Sequence, residues 1–284
     1  MIEDPKLNRD KNKEHYEKVY ANTSINNILV WLKDPERFLK YAIATETSWH
    51  GLYKNNFKNR LRGKKIVEMG CGDCVNAAIM ASFGAEVFAN DIADSSRVLI
   101  SKLNDAHSFE YPITYVEGDF LKNSLNANSY DFVIGKAFLH HLTIPEEREF
   151  LKETARLLKP DGEARFFEPA VNNRLLDELR WHIPVSGRPS KFNKEAFKVW
   201  KENDPHPDRS FSSTHFESAG KVFFKKVETL PVGILERFNK LFPIGKFNYR
   251  FRRWALRNEK VLPKFLARSG ARAQLIVYRE PKEI

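Results

Sequence analysis

Short apolar runs alternate with longer stretches of helical spacing between residues 63 and 170. The short runs predict buried strands, and the longer stretches, bounded by capping and turn residues, predict helices. The predicted strands lie at residues 64–69, 85–91, 113–117, 130–135 and 164–167, and the helices between them at 75–83, 95–107 and 145–158. This alternation indicates a doubly wound, mostly parallel α/β sheet with right-handed crossovers.

The pattern differs on both sides of this region. Residues 1–62 are polar and helical in pattern, which predicts a helical N-terminal lid in front of a domain over 63–284. Lys159–Gly162 is predicted as a turn, because it holds both Pro and Gly. Beyond it, the pattern predicts helices at 172–182 and 193–203, strands at 222–230 and 273–278, and a helical insertion at about 231–270.

Composition excludes several classes of protein. Apolar residues make up 42% of the 284 residues and charged residues 30%, which suits a packed core. No run of about 18 apolar residues predicts a membrane span, and the N-terminus has no signal-peptide pattern. Two cysteines are too few for a disulfide framework. Together these features predict a cytoplasmic, reduced protein.

The net charge of +10 is concentrated in residues 221–270. That segment holds thirteen Lys and Arg residues against three acids, while the rest of the chain carries equal numbers of both. Aromatic residues recur among its cations, which suits an anionic membrane surface, a phosphate-bearing acceptor or a nucleic acid. Peripheral contact with an anionic membrane is the favoured partner and nucleic acid the less favoured one. A helical lid with a solvated basic face remains the alternative.

A glycine-containing loop follows the first predicted strand. Gly70-Cys71-Gly72 leaves bare backbone at the end of that strand, but Val75 breaks the dinucleotide pattern G-x-G-x-x-G. Asp91 lies 21 residues beyond Gly70 at the end of the second strand, where an acid can accept hydrogen bonds from a ribose diol. The alternative is that Asp91 only caps the next helix.

Cys71 and Cys74 allow a second interpretation of the same loop. A Cys-x-x-Cys pair at a helix N-terminus lowers the pKa of a thiol in redox proteins. No aromatic residue precedes the motif, and the chain has no other cysteines to complete a zinc site. Redox chemistry is therefore the weaker interpretation, and no metal is predicted.

An ordered set of motifs over roughly residues 60–170 resembles the class I S-adenosylmethionine-dependent methyltransferases. The residues that carry the resemblance are Val67–Asp73, Asp91, Gly118-Asp119-Phe120, Asp131–Ile134, His140-His141-Leu142 and Leu157–Gly162. The resemblance implies a seven-stranded Rossmann-like fold and S-adenosyl-L-methionine as the cofactor. One departure is Cys74, which stands where the family's loop usually has its third glycine.

The resemblance also implies a set of cofactor-binding residues. The loop would pass under the amino-acid part of the cofactor, the acid after the second strand would bind the ribose, and the acid after the third strand would reach the adenine. The residues assigned in this way are Glu68, Gly70, Cys71, Gly72, Asp91, Ile92, Asp119, Phe120 and Gly135.

Three residues are predicted to be catalytic. His140 and His141 follow the fourth strand, and histidine titrates near neutral pH, as a base that deprotonates a hydroxyl acceptor must. Glu168 ends the fifth strand at the same edge of the sheet, where it can orient an imidazole. The arrangement resembles small-molecule O-methyltransferases, with one histidine facing the acceptor and the other packed. Two purely structural histidines are the alternative.

The predicted function is O-methylation of a small-molecule or lipid-linked acceptor. The segment after the fourth strand, Gly135–Phe138, lacks the Asn/Asp-Pro-Pro-aromatic motif of nucleic-acid amino-methyltransferases. An RNA or protein methyltransferase and a catalytically silent cofactor-binding module remain alternatives. Candidate residues lining the acceptor pocket are Trp181, His182, Arg188, His206, His215 and Phe216.

Overall fold

One seven-stranded sheet organises the chain, of which the computed structural model describes residues 5–21, 23–185, 187–202 and 210–283. The strands are β1 (Lys65–Met69), β2 (Glu86–Asn90), β3 (Thr114–Val116), β4 (Tyr130–Lys136), β5 (Leu158–Pro169), β6 (Phe224–Val232) and β7 (Ala273–Pro281). Their order is β3-β2-β1-β4-β5-β7-β6. β1 to β5 pair in parallel, whereas β7 runs antiparallel to both β5 and β6. The predicted doubly wound, mostly parallel fold is confirmed.

Helices cover the sheet and its edges. They are α1 (Pro5–Tyr20), α2 (Asn26–Leu32), α3 (Pro35–Thr45), α4 (Thr47–Leu52), α5 (Val75–Ser82), α6 (Asp94–Ala106), α7 (Ile144–Leu157), α8 (Arg174–His182), α9 (Lys194–Glu202), α10 (Ser213–Phe223), α11 (Lys246–Asn258) and α12 (Lys264–Gly270). Side-chain caps fix where several of these helices begin. The side chain of Thr143 accepts from the backbone N–H of Glu146, whose carboxylate accepts in return, so that α7 begins with a capping box.

β5 begins earlier than the sequence pattern predicts. The segment predicted as a turn, Lys159–Gly162, lies inside this strand as an irregularity. Pairing with β4 jumps from Leu158 opposite Tyr130 to Glu163 opposite Phe132. The Pro and Gly residues therefore produce a bulge near the start of β5, not a break between elements.

Hydrophobic clusters fill the space on the two faces of the sheet. One joins β1 and α5 to the N-terminal helices α2 to α4, through residues such as Ile28, Leu39 and Leu52. The other packs α7 and α10 against β4, β5 and β7. Residues 26–61 therefore belong to the main core, whereas α1 contacts this cluster through the partly buried Tyr20. Within the described residues, no helix combines the length and apolar character that crossing a bilayer requires.

The strand order reverses between β1 and β4. In parallel α/β sheets, ligands bind beside the carboxyl ends of the strands at such a reversal. The loop after β1 and the loop after β4 meet there, because Met69 and Gly135 are paired at the ends of these strands.

Candidate active site

The loop after β1 needs glycine at the position nearest the reversal point. Gly70 has a φ of +65°, and a Cβ built on it would lie 2.6 Å from Cδ2 of Phe138. A side chain here would meet both backbone strain and a ring that packs against the bare backbone. The loop therefore brings bare main chain to the end of β1, with the ring of Phe138 packed against it.

Asp91 joins the loops after β1 and β2. Its buried carboxylate accepts from the backbone N–H of Gly72 at 2.8 Å and from that of Ala93 at 2.9 Å. Burial raises the pKa of this carboxyl above its ordinary value. Asp91 and Ile92 both line the cavity beside the loop, so the acid faces the candidate cofactor site as well as supporting the turn into α6.

Cys74 adopts the left-handed conformation that suits the glycine usual at this position, with a φ of +60°. Its sulfur lies 4.0 Å from that of Cys71, and both thiols are free and buried. The hydrogen bond to Cys74, together with burial, raises the pKa of Cys71 well above its ordinary value. A reactive thiol requires the opposite shift. These cysteines are packing residues of the loop.

Asp119 and Phe120 follow β3 and face the same cavity. The Asp119 carboxylate accepts from the backbone N–H of Leu121 at 3.1 Å, which fixes its orientation. The ring of Phe120 stacks on Phe150 of α7, with centroids 5.4 Å apart. An acid and an aromatic face are thereby held side by side.

We call the space between these loops the first cavity, of about 130 Å³. It is lined by Asn8, Arg9, Asn12, Tyr16, Tyr20, Gly70, Asn90, Asp91, Ile92, Asp119, Phe120, Lys136, Ala137, Phe138, His141, Leu142, Glu146 and Phe150. Six of the residues assigned to the cofactor or to catalysis are not among the lining: Glu68, Cys71, Gly72, Gly135, His140 and Glu168.

Two of these outlying residues support the cavity from behind. Glu68 is buried in β1 and accepts from the side-chain amide of Asn76 at 2.7 Å, while its other oxygen has no hydrogen-bond partner among the described residues. Burial raises the pKa of Glu68 to about 7. Gly135 lies within β4, where a Cβ would come 2.9 Å from the ring of Phe166. Glycine is needed here because the ring of Phe166 packs closely against the backbone of β4.

Helix α1 covers the first cavity, and sequence reasoning assigned none of its residues to the site. Arg9 forms an ion pair with Asp119 at 2.5 Å and lies 3.6 Å from Glu146. Glu17 accepts from the first backbone N–H groups of α6, at Asp94 and Ser95. The sequence signal for this role is only the polar, charged character of the helix.

The loop after β4 is anchored by Glu168. This fully buried carboxylate accepts from the backbone N–H of Phe138 at 2.9 Å and of Leu139 at 2.7 Å. Its second oxygen lies 2.7 Å from Nδ1 of His140. The sequence analysis expected Glu168 to orient an imidazole after β4, and Glu168 contacts that of His140. Ala137, at the start of the loop, has a φ of +58°, a strained conformation for a residue with a side chain.

The two histidines of this loop point in different directions. His140 is packed against Glu168, whereas His141 lines the first cavity. Nε2 of His141 lies 3.2 Å from the hydroxyl of Tyr16, and the backbone carbonyl of His141 accepts from Asn8 at 2.6 Å. The ring centroids of the two histidines are 4.1 Å apart.

A second cavity, of about 610 Å³, opens on the other side of the same loop. It lies between the ends of β5 and β7, helix α8 and the basic insertion. Its lining residues are Glu46, Thr47, Ser48, Ala137, Phe167, Pro169, Leu176, Leu179, Arg180, Ile183, Val185, Arg188, Ile234, Arg237, Phe238, Lys240, Leu241, Arg252, Gly270, Arg272 and Ala273. Ala137 lines both cavities, so they meet at this residue.

The candidate pocket residues named from the sequence fall in different places. Arg188 lines the second cavity, and Trp181 lies beneath its guanidinium. His215 instead bonds Glu147 of α7 at 2.9 Å, and Phe216 is buried in the core. The backbone carbonyl and Nδ1 of His182 bond neighbours on their own segment. His206 lies outside the described residues.

The first cavity fits the cofactor implied by the motifs. Gly70 brings bare backbone into the cavity lining at the end of β1. Asp91 and Asp119 present carboxylates that can accept from hydroxyl and amino groups, and Phe120 offers an apolar ring. These are the chemical groups that an adenosyl ligand requires.

Comparisons with known proteins find relatives among the methyltransferases. Residues 67–166 match the family model described as "Methyltransferase domain". A ubiquinone biosynthesis O-methyltransferase of Actinobacillus pleuropneumoniae serotype 5b (strain L20) is 31% identical over 108 residues, covering 37% of this chain and 45% of the relative. One of the same description from Proteus mirabilis (strain HI4320) is 32% identical over 131 residues, covering 45% and 49%. The chain thus spans about half the length of these curated relatives.

The fold is also found among solved structures. The S-adenosylmethionine-dependent methyltransferase SibL in its apo form superposes with a TM-score of 0.52 at 14% identity, covering 82% of this chain and 54% of that one. A chain from the complex of the Haloferax volcanii Trm112 methyltransferase activator with a methyltransferase gives a TM-score of 0.50 at 14% identity, covering 92% and 99%. At this identity the likeness shows the fold alone.

Proposed function

Because residues 67–166 form a methyltransferase domain of the class I, S-adenosylmethionine-dependent type, we propose that this chain transfers a methyl group to an oxygen of a small-molecule or lipid-linked acceptor. The observation that carries the proposal is the meeting of two cavities at Ala137. One has the lining that the cofactor needs, and the other has room for an acceptor. The curated relatives named as O-methyltransferases support oxygen as the atom methylated.

In this proposal the first cavity binds the cofactor. Asp91 accepts hydrogen bonds from its ribose and Asp119 from its adenine, while the loop at Gly70 holds its amino-acid part. When bound, S-adenosylmethionine supplies a methyl group on a sulfonium for in-line displacement. The protein contributes mainly by placing the acceptor oxygen in line at the junction of the cavities, since positioning provides much of the rate enhancement in such reactions.

His141 is the proposed general base, because it lines the first cavity on the loop that separates the two cavities. It would take the proton from the acceptor hydroxyl as the oxygen attacks. His140 and Glu168 are proposed as positioning residues. Their 2.7 Å contact, and the backbone N–H groups that Glu168 accepts, hold the loop in its strained form.

The test combines an acceptor search with two matched variants. Purified protein is incubated with labelled cofactor and with small-molecule, lipid and RNA fractions of the host, and the labelled fraction is identified. His141→Gln should lower turnover by about a hundredfold with cofactor affinity unchanged. Tyr16→Phe removes the hydroxyl beside His141 but keeps the imidazole, and we expect turnover within about threefold of the parent.

Some results would contradict the proposal. Label entering RNA alone would favour a polymer substrate, and tight cofactor binding without turnover on any fraction would indicate a silent binding module. Full turnover by His141→Gln would show that the acceptor ionises without this base. A loss of turnover in Tyr16→Phe equal to that in His141→Gln would instead assign the effect to the contact with α1.

We further propose that α1 acts as a lid of the N-terminal region 1–62 and opens to admit the cofactor. Several of its contacts with the domain are polar and partly exposed, as in the Arg9–Asp119 pair, where 39% and 19% of the side-chain surfaces remain accessible. Such contacts break and re-form readily. Helices α2 to α4, which share the main core, stay in place in this proposal.

The exposed face of residues 221–270 is proposed to contact an anionic membrane peripherally. Large apolar side chains protrude among its cations, including Ile244 at 87% and Phe265 at 72% exposure. Each cation near an anionic surface contributes about 1 kcal/mol to binding. The exposed cations Arg250, Arg253 and Arg257 are those suited to this contact.

Liposome sedimentation tests this contact. The parent protein should pellet with anionic vesicles, not with neutral ones, and less at moderate salt than at low salt. Replacing Arg250, Arg253 and Arg257 together by Glu should abolish pelleting and leave cofactor affinity unchanged. Equal pelleting with both vesicle types, or none with either, would exclude the membrane contact.

A further inference from the structure

The lining of the second cavity is strongly unbalanced in charge. It contains one carboxylate, that of Glu46, among the described residues. It contains six cations: Arg180, Arg188, Arg237, Lys240, Arg252 and Arg272. These cations come from α8 and the segment after it, from the basic insertion and from the start of β7.

Two of the six cations are matched by carboxylates. Arg252 bonds both oxygens of Glu46, at 2.9 and 2.8 Å, and donates to Glu236 at 3.0 Å. Arg272 lies 3.1 Å from the other oxygen of Glu236, which is fully buried. These ion pairs belong to the wall of the cavity.

Three others have no carboxylate partner among the described residues. Arg188 donates to the carbonyls of Arg180 and Ile183, at 2.7 and 2.9 Å, and Arg237 donates to the carbonyl of Gly270 at 2.9 Å. The ammonium of Lys240 forms no hydrogen bond or ion pair with the described residues. A carbonyl satisfies a donor but does not neutralise its charge, so three positive charges remain uncompensated.

Arg180 and Arg188 are held together despite their like charge. Both guanidinium groups lie over the ring of Trp181, at 4.4 and 4.9 Å from its centroid. Arg180 also pairs with Asp177 at 3.0 Å. The Nε atom of each arginine is buried without a hydrogen-bond acceptor in the described part of the chain. Donors of this kind are expensive to leave unsatisfied, and an anion in the cavity would supply acceptors.

The electrostatics of these groups agree with the geometry. Burial lowers the pKa of Arg237, and the charges of Arg180 and Arg272 lower it further. The pKa of Lys240 is lowered by burial and then by Arg272, Arg188 and Arg180. Each group is therefore destabilised in its charged form by its neighbours, a situation that a bound anion reverses.

The rest of the cavity wall is apolar. One side is formed by α8 and the segment after it and the other by the insertion, through Leu176, Leu179, Ile183, Val185, Ile234, Phe238 and Leu241. Several of these side chains are partly exposed, with Leu179 at 51% and Leu241 at 56%. An acceptor that covers them would remove apolar surface from water while its charged end lies among the cations.

We propose that the second cavity binds a phosphate-bearing amphiphile, with its phosphate held by Arg180, Arg188, Arg237 and Lys240 and its apolar body against α8 and the insertion. A phosphate ester matches three uncompensated cations better than a carboxylate, because it carries more charge and three strong acceptor oxygens. That this ligand is the methyl acceptor rests on the proposed function. The binding itself does not, because the cavity is formed whether or not methyl transfer occurs.

Calorimetry with simple probes tests the proposal on the full chain, without turnover. Octyl phosphate should bind at least about tenfold more tightly than octanoate, than octanol and than inorganic phosphate, since only octyl phosphate engages both parts of the cavity. Its affinity should fall as salt rises. Equal affinity for octanoate, or no binding of octyl phosphate, would overturn the assignment.

Matched variants locate the binding. Arg237→Gln and Lys240→Gln should each weaken octyl phosphate binding by about tenfold. Lys260→Gln changes an exposed cation of the same insertion outside the cavity lining, and it should leave the affinity unchanged. Equal losses in all three variants would show general charge attraction and refute the site.

The same samples separate this inference from the proposed function. Cofactor affinity and methyl transfer to extract are measured alongside phosphate binding. Methyl transfer that proceeds on acceptors without phosphate, in a protein that does not bind octyl phosphate, would refute the inference and leave the proposed function standing. Octyl phosphate binding without any methyl transfer would refute the proposed function and leave the inference standing.

Discussion

The two cavities that meet at Ala137 are built in opposite ways. The first is lined by three carboxylates, Asp91, Asp119 and Glu146, and two cations, and its carboxylates come from loops at the ends of successive strands or from the start of α7. The second has six cations and one carboxylate, drawn from segments scattered between residues 46 and 273. A cationic cofactor and an anionic acceptor would each find complementary charge in this division.

The contrast also concerns how each charge is held. The carboxylate of Asp91 accepts from the backbone N–H groups of Gly72, in the loop after β1, and of Ala93, in the loop after β2. Two cations of the second cavity, Arg252 and Arg272, share the buried carboxylate of Glu236. Asp91 is therefore held by main-chain donors, and these two cations are held by a side-chain carboxylate. Variants can break one and leave the other intact.

The largest effect is expected from Glu236→Gln. The change leaves Arg252 and Arg272 without their shared buried carboxylate, and breaking a buried ion pair costs roughly 3–5 kcal/mol. The free energy of unfolding, measured with urea, should fall by about 3 kcal/mol or more, while calorimetry on the remaining folded protein shows the cofactor affinity of the parent.

Glu228→Gln serves as the control for this variant. Glu228 forms an exposed pair with Arg279 at 3.3 Å, and its loss should cost less than about 1 kcal/mol. Equal destabilisation by both variants would mean that the buried carboxylate has no special part in holding the second cavity.

Asp91→Ala breaks the first cavity instead. Losing the carboxylate that faces the cofactor should weaken cofactor binding by ten- to a hundredfold, or about 1.5–3 kcal/mol. Calorimetry measures the affinity, and circular dichroism checks that the fold survives. Octyl phosphate binding should not change. Unchanged cofactor affinity would reject Asp91 as a cofactor residue.

Glu68→Gln tests the floor of the first cavity through pH. Because burial raises the pKa of Glu68 from 4.5 to about 7, the folded state binds a proton that the unfolded state releases. Stability from this group is fully present below pH 4.5 and is lost as the pH rises to about 7. The variant should remove that loss and be more stable than the parent at pH 8, by on the order of 1–2 kcal/mol.

Denaturant titrations at pH 5 and pH 8 measure this difference. The two proteins should be closer in stability at pH 5 than at pH 8. A variant that is destabilised equally at both pH values would show that the carboxylate is ionised in the fold and that its hydrogen bond to Asn76 is what matters.

The smallest effect is expected from Arg9→Ala. Removing the partly exposed pair with Asp119 should loosen α1 and speed cofactor dissociation by up to about fivefold, since such pairs contribute less than about 1 kcal/mol. Stopped-flow displacement measures the rate. Lys18→Ala, which removes a pair within α1 to Glu14, should leave the rate unchanged. A slower dissociation in Arg9→Ala would contradict the lid.

The sequence by itself determined the frame of this protein and part of its first cavity. Strand and helix patterns are local, and an acid at the end of a parallel strand is carried to a known edge of the sheet. Asp91 could therefore be placed from its spacing, and Asp119 from the family resemblance, whereas His140 and His141 could be named only as a pair. Glu68 and Gly135 were assigned to the same site, but neither lines the cavity. Spacing along a strand does not determine which of its residues face the cavity.

Only the tertiary structure decided the rest. The sequence counted Arg252 among the cations of a basic surface, but in the fold it bonds Glu46, 206 residues away. Arg9 on α1 likewise meets Asp119 across 110 residues. Pairings of this kind leave no periodicity and no spacing in the chain, because they depend on how separate segments pack. A charge count locates basic residues, and packing alone determines which of them enclose a cavity and which face water.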